Sequence, residues 1–220
     1  MFGRSRTHVV AVSVFLAATL LSASAWAGKS FVMPVAKPAS TYPAHDSHPD
    51  EAVSVALDPY DMPDKAKIFL IKYRDLGFLP IFLVITNDGD HTLSLSDLKA
   101  QFVTVDRTKI TPAEEDDIYR RISRPSASAT RSPLPIPGTN KVKGMVRGDQ
   151  ADELQNSRFD AKAIEPHTTH SGFLFFDVSG ISTPLAGAHF YLSGLRDASG
   201  NELMYFEIPL EKYLAAPPKP

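Results

Sequence analysis

Two stretches of the chain are apolar at both odd and even positions. Residues 78–86 read "FLPIFLVIT" and residues 171–178 read "SGFLFFDV". A strand turns successive side chains to opposite faces, so apolar character at every position predicts a strand covered on both sides. Phe173 and Phe175 then share one face, with Leu174 and Phe176 on the other. Pro80 cannot donate to a ladder, which places it at the first residues of its strand or at an edge. Elsewhere the alternation is one-sided. Val53, Val55 and Leu57 alternate with Ser54 and Ala56, and Leu93 and Leu95 with Thr92, Ser94 and Ser96. These predict half-buried strands, and residues 98–105, "LKAQFVTV", continue the pattern.

Turn chemistry punctuates these runs. "NDGD" at 87–90 offers Asx bonding and a glycine free to take positive φ, predicting a hairpin between the 78–86 strand and the next. "RDASGN" at 196–201 predicts a second hairpin joining "AHFYLSGL" to "ELMYFEIPL". In that last strand Met204, Phe206, Ile208 and Leu210 share one face and Leu203, Tyr205 and Glu207 the other.

Helical signals are few. Thr111 as cap and Pro112 as first residue open a helix over about 112–124. Glu114, Glu115, Asp116 and Asp117 lie at its positive end, and Arg120, Arg121 and Arg124 at its negative end. Pro63 starts a helical turn, and "QADELQNSRFDAKAI" contains a short helix. Residues 125–149 carry four prolines and three glycines and read as a flexible insertion within the domain. Residues 28–50 carry four prolines and little periodicity, and read as a disordered tether; residues 215–220, "AAPPKP", read as a tail.

The ends and the composition set the compartment. Arg4, Arg6 and His8 precede an apolar run at 9–21, and "SASAWA" closes with Ala25 and Ala27 in an A-x-A arrangement. That is a signal peptide over 1–27, with cleavage after Ala27 and a periplasmic or secreted destination. Removing Arg4 and Arg6 from 23 basic residues leaves 21 against 25 acidic ones, a net of about −4, and removes Trp26. So mild a charge excludes nucleic acid as partner. With no cysteine, an exported fold must rest on core burial alone. No later run is long enough to span a membrane.

Several short strands and one helix in a connection predict an all-β fold, an antiparallel β-sandwich over 51–214. The runs "LPIFLVITNDGDHTLSL", "EPHTTHSGFLFFDV" and "YLSGLRDASGNELMYFEIPL" resemble the immunoglobulin-like β-sandwich domains of exported bacterial proteins of unknown function. The resemblance covers about residues 51–214 and departs at the 125–149 insertion and the helix before it. It implies a domain that binds or scaffolds, and it carries over no catalytic residue or cofactor.

Candidate chemistry is sparse. His167 and His170, in "HTTH", and His45 and His48, in "HDSH", have a spacing that a tight turn would place on one ion, but two imidazoles do not complete a site. Asp88, Asp90 and Asp97 lack the spacing of a calcium loop. His189 reads as a packed or edge-strand histidine. There is no nucleophile elbow, phosphate loop or zinc-protease motif. The resulting expectation is an exported non-catalytic binding or scaffolding module with no cofactor, its partner another envelope protein. The alternative is a hydrolase or metal-dependent enzyme with a dispersed site near His167 and His170. The two-sided strands need cover, from the helix, from the insertion or from a partner; in the last case Phe176, Tyr191 and Tyr205 would anchor it.

Overall fold

A computed structural model describes residues 30–123 and 146–215. The signal sequence, the 216–220 tail and most of the 125–149 insertion lie outside these residues. Ten strands dominate: β1 (Ala44–His48), β2 (Val53–Pro59), β3 (Phe78–Asn87), β4 (Leu93–Ser94), β5 (Lys99–Val103), β6 (Lys109–Ile110), β7 (Ala163–Ile164), β8 (Thr168–Asp177), β9 (His189–Ser193) and β10 (Phe206–Pro209). Among the described residues four helices accompany them: α1 (Pro63–Ala66), α2 (Glu115–Ser123), α3 (Gly148–Ser157) and α4 (Glu211–Leu214). Every ladder is antiparallel, in sheets of order β1-β2-β3-β8 and β10-β9-β5-β6, with a small β4-β7 pair.

The two larger sheets share a core. Leu79, Ile81, Leu83 and Ile85 of β3 and Phe176 of β8 meet Phe102, Phe190, Leu192, Phe206 and Ile208 of the second sheet. Phe176 sits 5.5 Å from the Phe102 ring and 6.1 Å from Phe190. Phe176 is therefore core and not an interface anchor, because the β8 alternation turns it inward against the second sheet.

The opposite face of the first sheet is a second core, and the chain itself covers it. Phe78, Phe82 and Val84 of β3 and Phe173 and Phe175 of β8 pack under Phe69, Ile71 and Tyr73, under Ile118 of α2 and under Leu154 of α3. The lead-in contributes as well. Phe31 stacks on Phe69 at 5.7 Å and meets Phe173 edge-on at 6.5 Å, while Ala39 and Tyr42 are buried. The tether expected over 28–50 is thus corrected for residues 30–50: they hold a 3-10 turn at Ala39–Thr41 and the edge strand β1. The Ala39 amide donates to Thr86 Oγ1 at 2.9 Å, which fastens this segment to β3. Tertiary packing supplies what local periodicity lacked.

The "NDGD" hairpin is also corrected. β3 pairs with β2 and β8, whereas β4 leaves to pair with β7. Gly89 is not among the positive-φ glycines; the turn is held by buried Asn87, whose Oδ1 accepts from Gly89 and whose Nδ2 donates to His91 and Ile164 carbonyls. The β9–β10 hairpin does form, with Asp197 accepting from the Ser199 and Asn201 amides and Gly200 at φ +85°. Its second strand starts late, however, and Met204 is 67% exposed instead of joining Phe206 inside. Pro80 is the third residue of β3, just before the β2 ladder begins at Ile81↔Pro59.

Candidate functional site

The candidate histidines do not form a cluster among the described residues. His167 lies outside β8 at φ +56°, with Nε2 3.1 Å from Asp90 Oδ1, while His170 sits within the strand opposite Ile85. His45 Nδ1 lies 2.5 Å from the Tyr42 carbonyl. His48 stacks on Phe206 at 4.0 Å, its Nδ1 2.9 Å from Glu51 and its Nε2 3.6 Å from Asp46, on opposite sides of the ring. Asp97 is taken by Arg196 at 2.9 Å. Among the described residues no group of three or more His, Cys, Asp or Glu side chains could hold a metal ion.

Two depressions open on the surface. One, of about 490 Å³, lies between Tyr60–Asp61, Phe78–Pro80 and the loop at 178–186. Its charged groups are engaged within the fold: Arg74 donates to the Asp61 carbonyl at 2.8 Å, and the Asp61 carboxylate accepts from Tyr213 at 3.2 Å. Beside it the Lys65 ammonium lies over the rings of Tyr60 and Tyr213 at 4.6 and 4.9 Å and bonds Asp58 at 2.5 Å, which ties α1 and α4 to the end of β2. Burial and the neighbouring carboxylates push both tyrosine hydroxyls well above their ordinary pKa. The other depression, of about 450 Å³, lies beside β5, with Lys99, Gln101, Thr111, Asp160 and Lys162 in its wall.

The solvent face of the second sheet has a more unusual make-up. Alternation buries Phe102, Phe190, Leu192, Phe206 and Ile208, so their neighbours turn outward. The register sets Gln101, Tyr191 and Glu207 side by side across β5, β9 and β10. Glu207 Oε1 accepts from the Tyr191 hydroxyl at 2.7 Å and faces His189 Nδ1 at 2.9 Å. That hydrogen bond, then partial burial and the Glu207 charge, raise the Tyr191 pKa. The His189 and Tyr191 rings are 6.3 Å apart and 18° from parallel, and Tyr205 lies a further 6.3 Å from Tyr191. Tyr205 is 55% exposed. Two of the three expected anchors, Tyr191 and Tyr205, are therefore together on one wet face. Glu207 and His189 join them through a register that no local motif announces.

No protein-family model matches the chain, and no curated protein matches it. Among solved structures it is similar to the X-ray structure of Northeast Structural Genomics Consortium target SoR45, at 10% identity over 72% of this chain and 86% of that one, with a TM-score of 0.30. So slight a likeness carries no function across. No helix among the described residues is long and apolar enough to cross a membrane.

Proposed function

We propose that this chain is an exported, non-catalytic binding module, periplasmic or secreted, whose sandwich is of the immunoglobulin-like kind. Its binding surface is the outer face of the β10-β9-β5-β6 sheet. One observation carries the reading: His189, Tyr191 and Tyr205 stand in a row on a solvent-facing sheet surface, with Glu207 shared between the first two. Ordinary wet faces carry small or charged side chains, whereas tyrosine in quantity marks surfaces that recognise something. The groups that could have carried hydrolysis, His167 and His170, instead face Asp90 and a strand position respectively.

The test places a photo-crosslinking amino acid at position 205 of the full chain in its native envelope. A dominant adduct, absent when the crosslinker sits at exposed Gln155 on α3 and weakened by Tyr191→Ala, supports the reading. Equal labelling from both positions would sink it. Sequencing the exported protein should give Gly28 as its first residue.

A further inference from the structure

The same face also indicates what it holds. It is a sheet surface without a walled pocket, so it does not suit a compact apolar ligand, which needs a concave, enclosed site. Nor does its β10 edge invite a peptide to extend it. The outer amides at the β10 edge are already committed, Met204 to Glu51 Oε1 at 2.9 Å and Glu207 to Asp46 Oδ2 at 3.1 Å. Its charge is small: Lys99 and Lys109 stand against Glu207, and in the adjoining depression Lys162 stands against Asp160, which leaves one positive charge in excess. A strongly charged ligand would find only a weak field there.

What the face does present is aromatic rings interleaved with amide, carboxylate and hydroxyl side chains. In register they are Tyr205 beyond Ser193, then Gln101, Tyr191 and Glu207. Lys99 and Gln101 belong both to this face and to the depression beside β5. The row of rings and the depression are thus parts of one elongated surface. A pyranose ring is the complement of such a surface. Its axial C–H groups form a weakly electropositive apolar face that settles on a π-system, and its equatorial hydroxyls need planar donors and acceptors such as Gln101 and Glu207.

We propose that the outer face of the second sheet binds a neutral oligosaccharide, a run of pyranose rings laid across Tyr205 and Tyr191 towards Gln101 and the depression beside β5. This rests on the reading of that face as the binding surface. Tyr191 is held by Glu207 before the ligand arrives, so little ordering is left to pay on binding.

Affinity electrophoresis of residues 28–220 through gels containing a soluble neutral glucan, xylan or glycol chitin tests it, followed by titration with the matching hexasaccharide. That fragment lacks Trp26, so its emission comes from seven tyrosines, and the part that Tyr191→Ala and Tyr205→Ala remove reports on the site. Wild type should be retarded by at least one of these polysaccharides. Tyr205→Ala and Tyr191→Ala should each weaken hexasaccharide binding by about tenfold, and Gln101→Ala should weaken it while leaving the melting temperature unchanged. Retardation by none of them, or retardation unchanged in Tyr205→Ala, overturns the inference. A protein adduct from position 205 without glycan binding overturns only the ligand class. Neither adduct nor glycan binding would remove the reading of the face as well.

Discussion

Glu153 holds a carboxylate at 1% exposure within the second core, where it accepts hydrogen bonds from the Leu70 and Ile71 amides. Those amides belong to the segment that covers Phe173, so the acid organises a loop as well as occupying the core. Burial raises the pKa of the Tyr73 hydroxyl, and the Glu153 charge raises it further. Removing the acceptor while leaving both amides buried should be costly: Glu153→Ala is expected to lose about 3 kcal/mol. Urea unfolding checks this, and a midpoint within error of wild type would refute it. Arg121 acts at the other end of the sheet. It donates to the Leu76 carbonyl at 2.9 Å, bonds Asp177, and lies over the Phe78 ring at 4.4 Å. Burial alone would raise the Asp177 pKa, but hydrogen bonds from Arg121 and Ser179 outweigh it and hold the carboxyl below its ordinary range. The folded pKa is thus depressed, so this pair stabilises above the unfolded carboxyl value and its contribution is lost as pH falls through the folded one. Asp177→Asn should cost about 1 kcal/mol at pH 7, the exposed side of the carboxylate screening the rest. That deficit should shrink below about pH 4, as comparison of the two unfolding curves against pH will show.

Among the elements, the sheet edges explain why these strands stay unextended. β8 is an edge strand, but Ala113 donates to the Phe175 carbonyl at 2.7 Å and Phe159 to the Phe173 carbonyl at 3.1 Å, so the chain covers it. That crossing requires Gly172, where a Cβ would stand 2.5 Å from Phe159 Cα and 2.6 Å from its nitrogen. Backbone cannot yield as a side-chain tip can, so Gly172→Ala should destabilise by about 2–3 kcal/mol. An unchanged melting temperature would show the crossing to be looser than described. Where β1 meets β10, carboxylates do the covering: Asp46 and Glu51 accept the Glu207 and Met204 amides, and His48 lies between them on Phe206. Glu51→Ala should speed hydrogen exchange at the Met204 amide by on the order of tenfold, with little change at Phe190 in the core.

At the scale of the molecule, the fold is two sheets with a core between them and a second core outside the first sheet, closed by α2, α3, residues 60–76 and the lead-in. The lead-in acts as a strap. Phe31→Ala removes its stack on Phe69 and its edge-on contact with Phe173 and should cost about 1–2 kcal/mol, lowering the melting temperature by roughly 3–6 °C. Calorimetry decides it, and a shift below a degree would mean that the strap contributes no stability.

How much of this could be read in advance follows from where each signal is stored. β3 and β8 were legible because they are apolar at odd and even positions alike, and the two-sided burial this implies is what the structure has. α2 was legible from the charge order at its ends, but it starts at Glu115, and the expected cap Thr111 and first residue Pro112 lie outside it, Pro112 bridging Phe176 of β8. β1 was not, since Ala39, Tyr42 and Ala44 are buried at spacings set by the surface they lie on. The β3–β4 hairpin failed because Asn87 makes its bonds to Ile164 and Glu165, 77 and 78 residues away, and carries the chain off to another sheet. The candidate site divides in the same way. Tyr191 and Tyr205 were legible only as aromatics that could anchor a partner if the two-sided strands lay uncovered, whereas their sharing a face with Glu207, and the loss of Phe176 to the core, depend on register and on which sheet lies opposite. Sequence alone thus determined β3 and β8, the region of the main helix and the charge balance, because those depend on neighbours along the chain. Tertiary structure decided which faces are wet, which segment serves as cover and which side chains share a surface, because those depend on contacts between residues far apart in sequence.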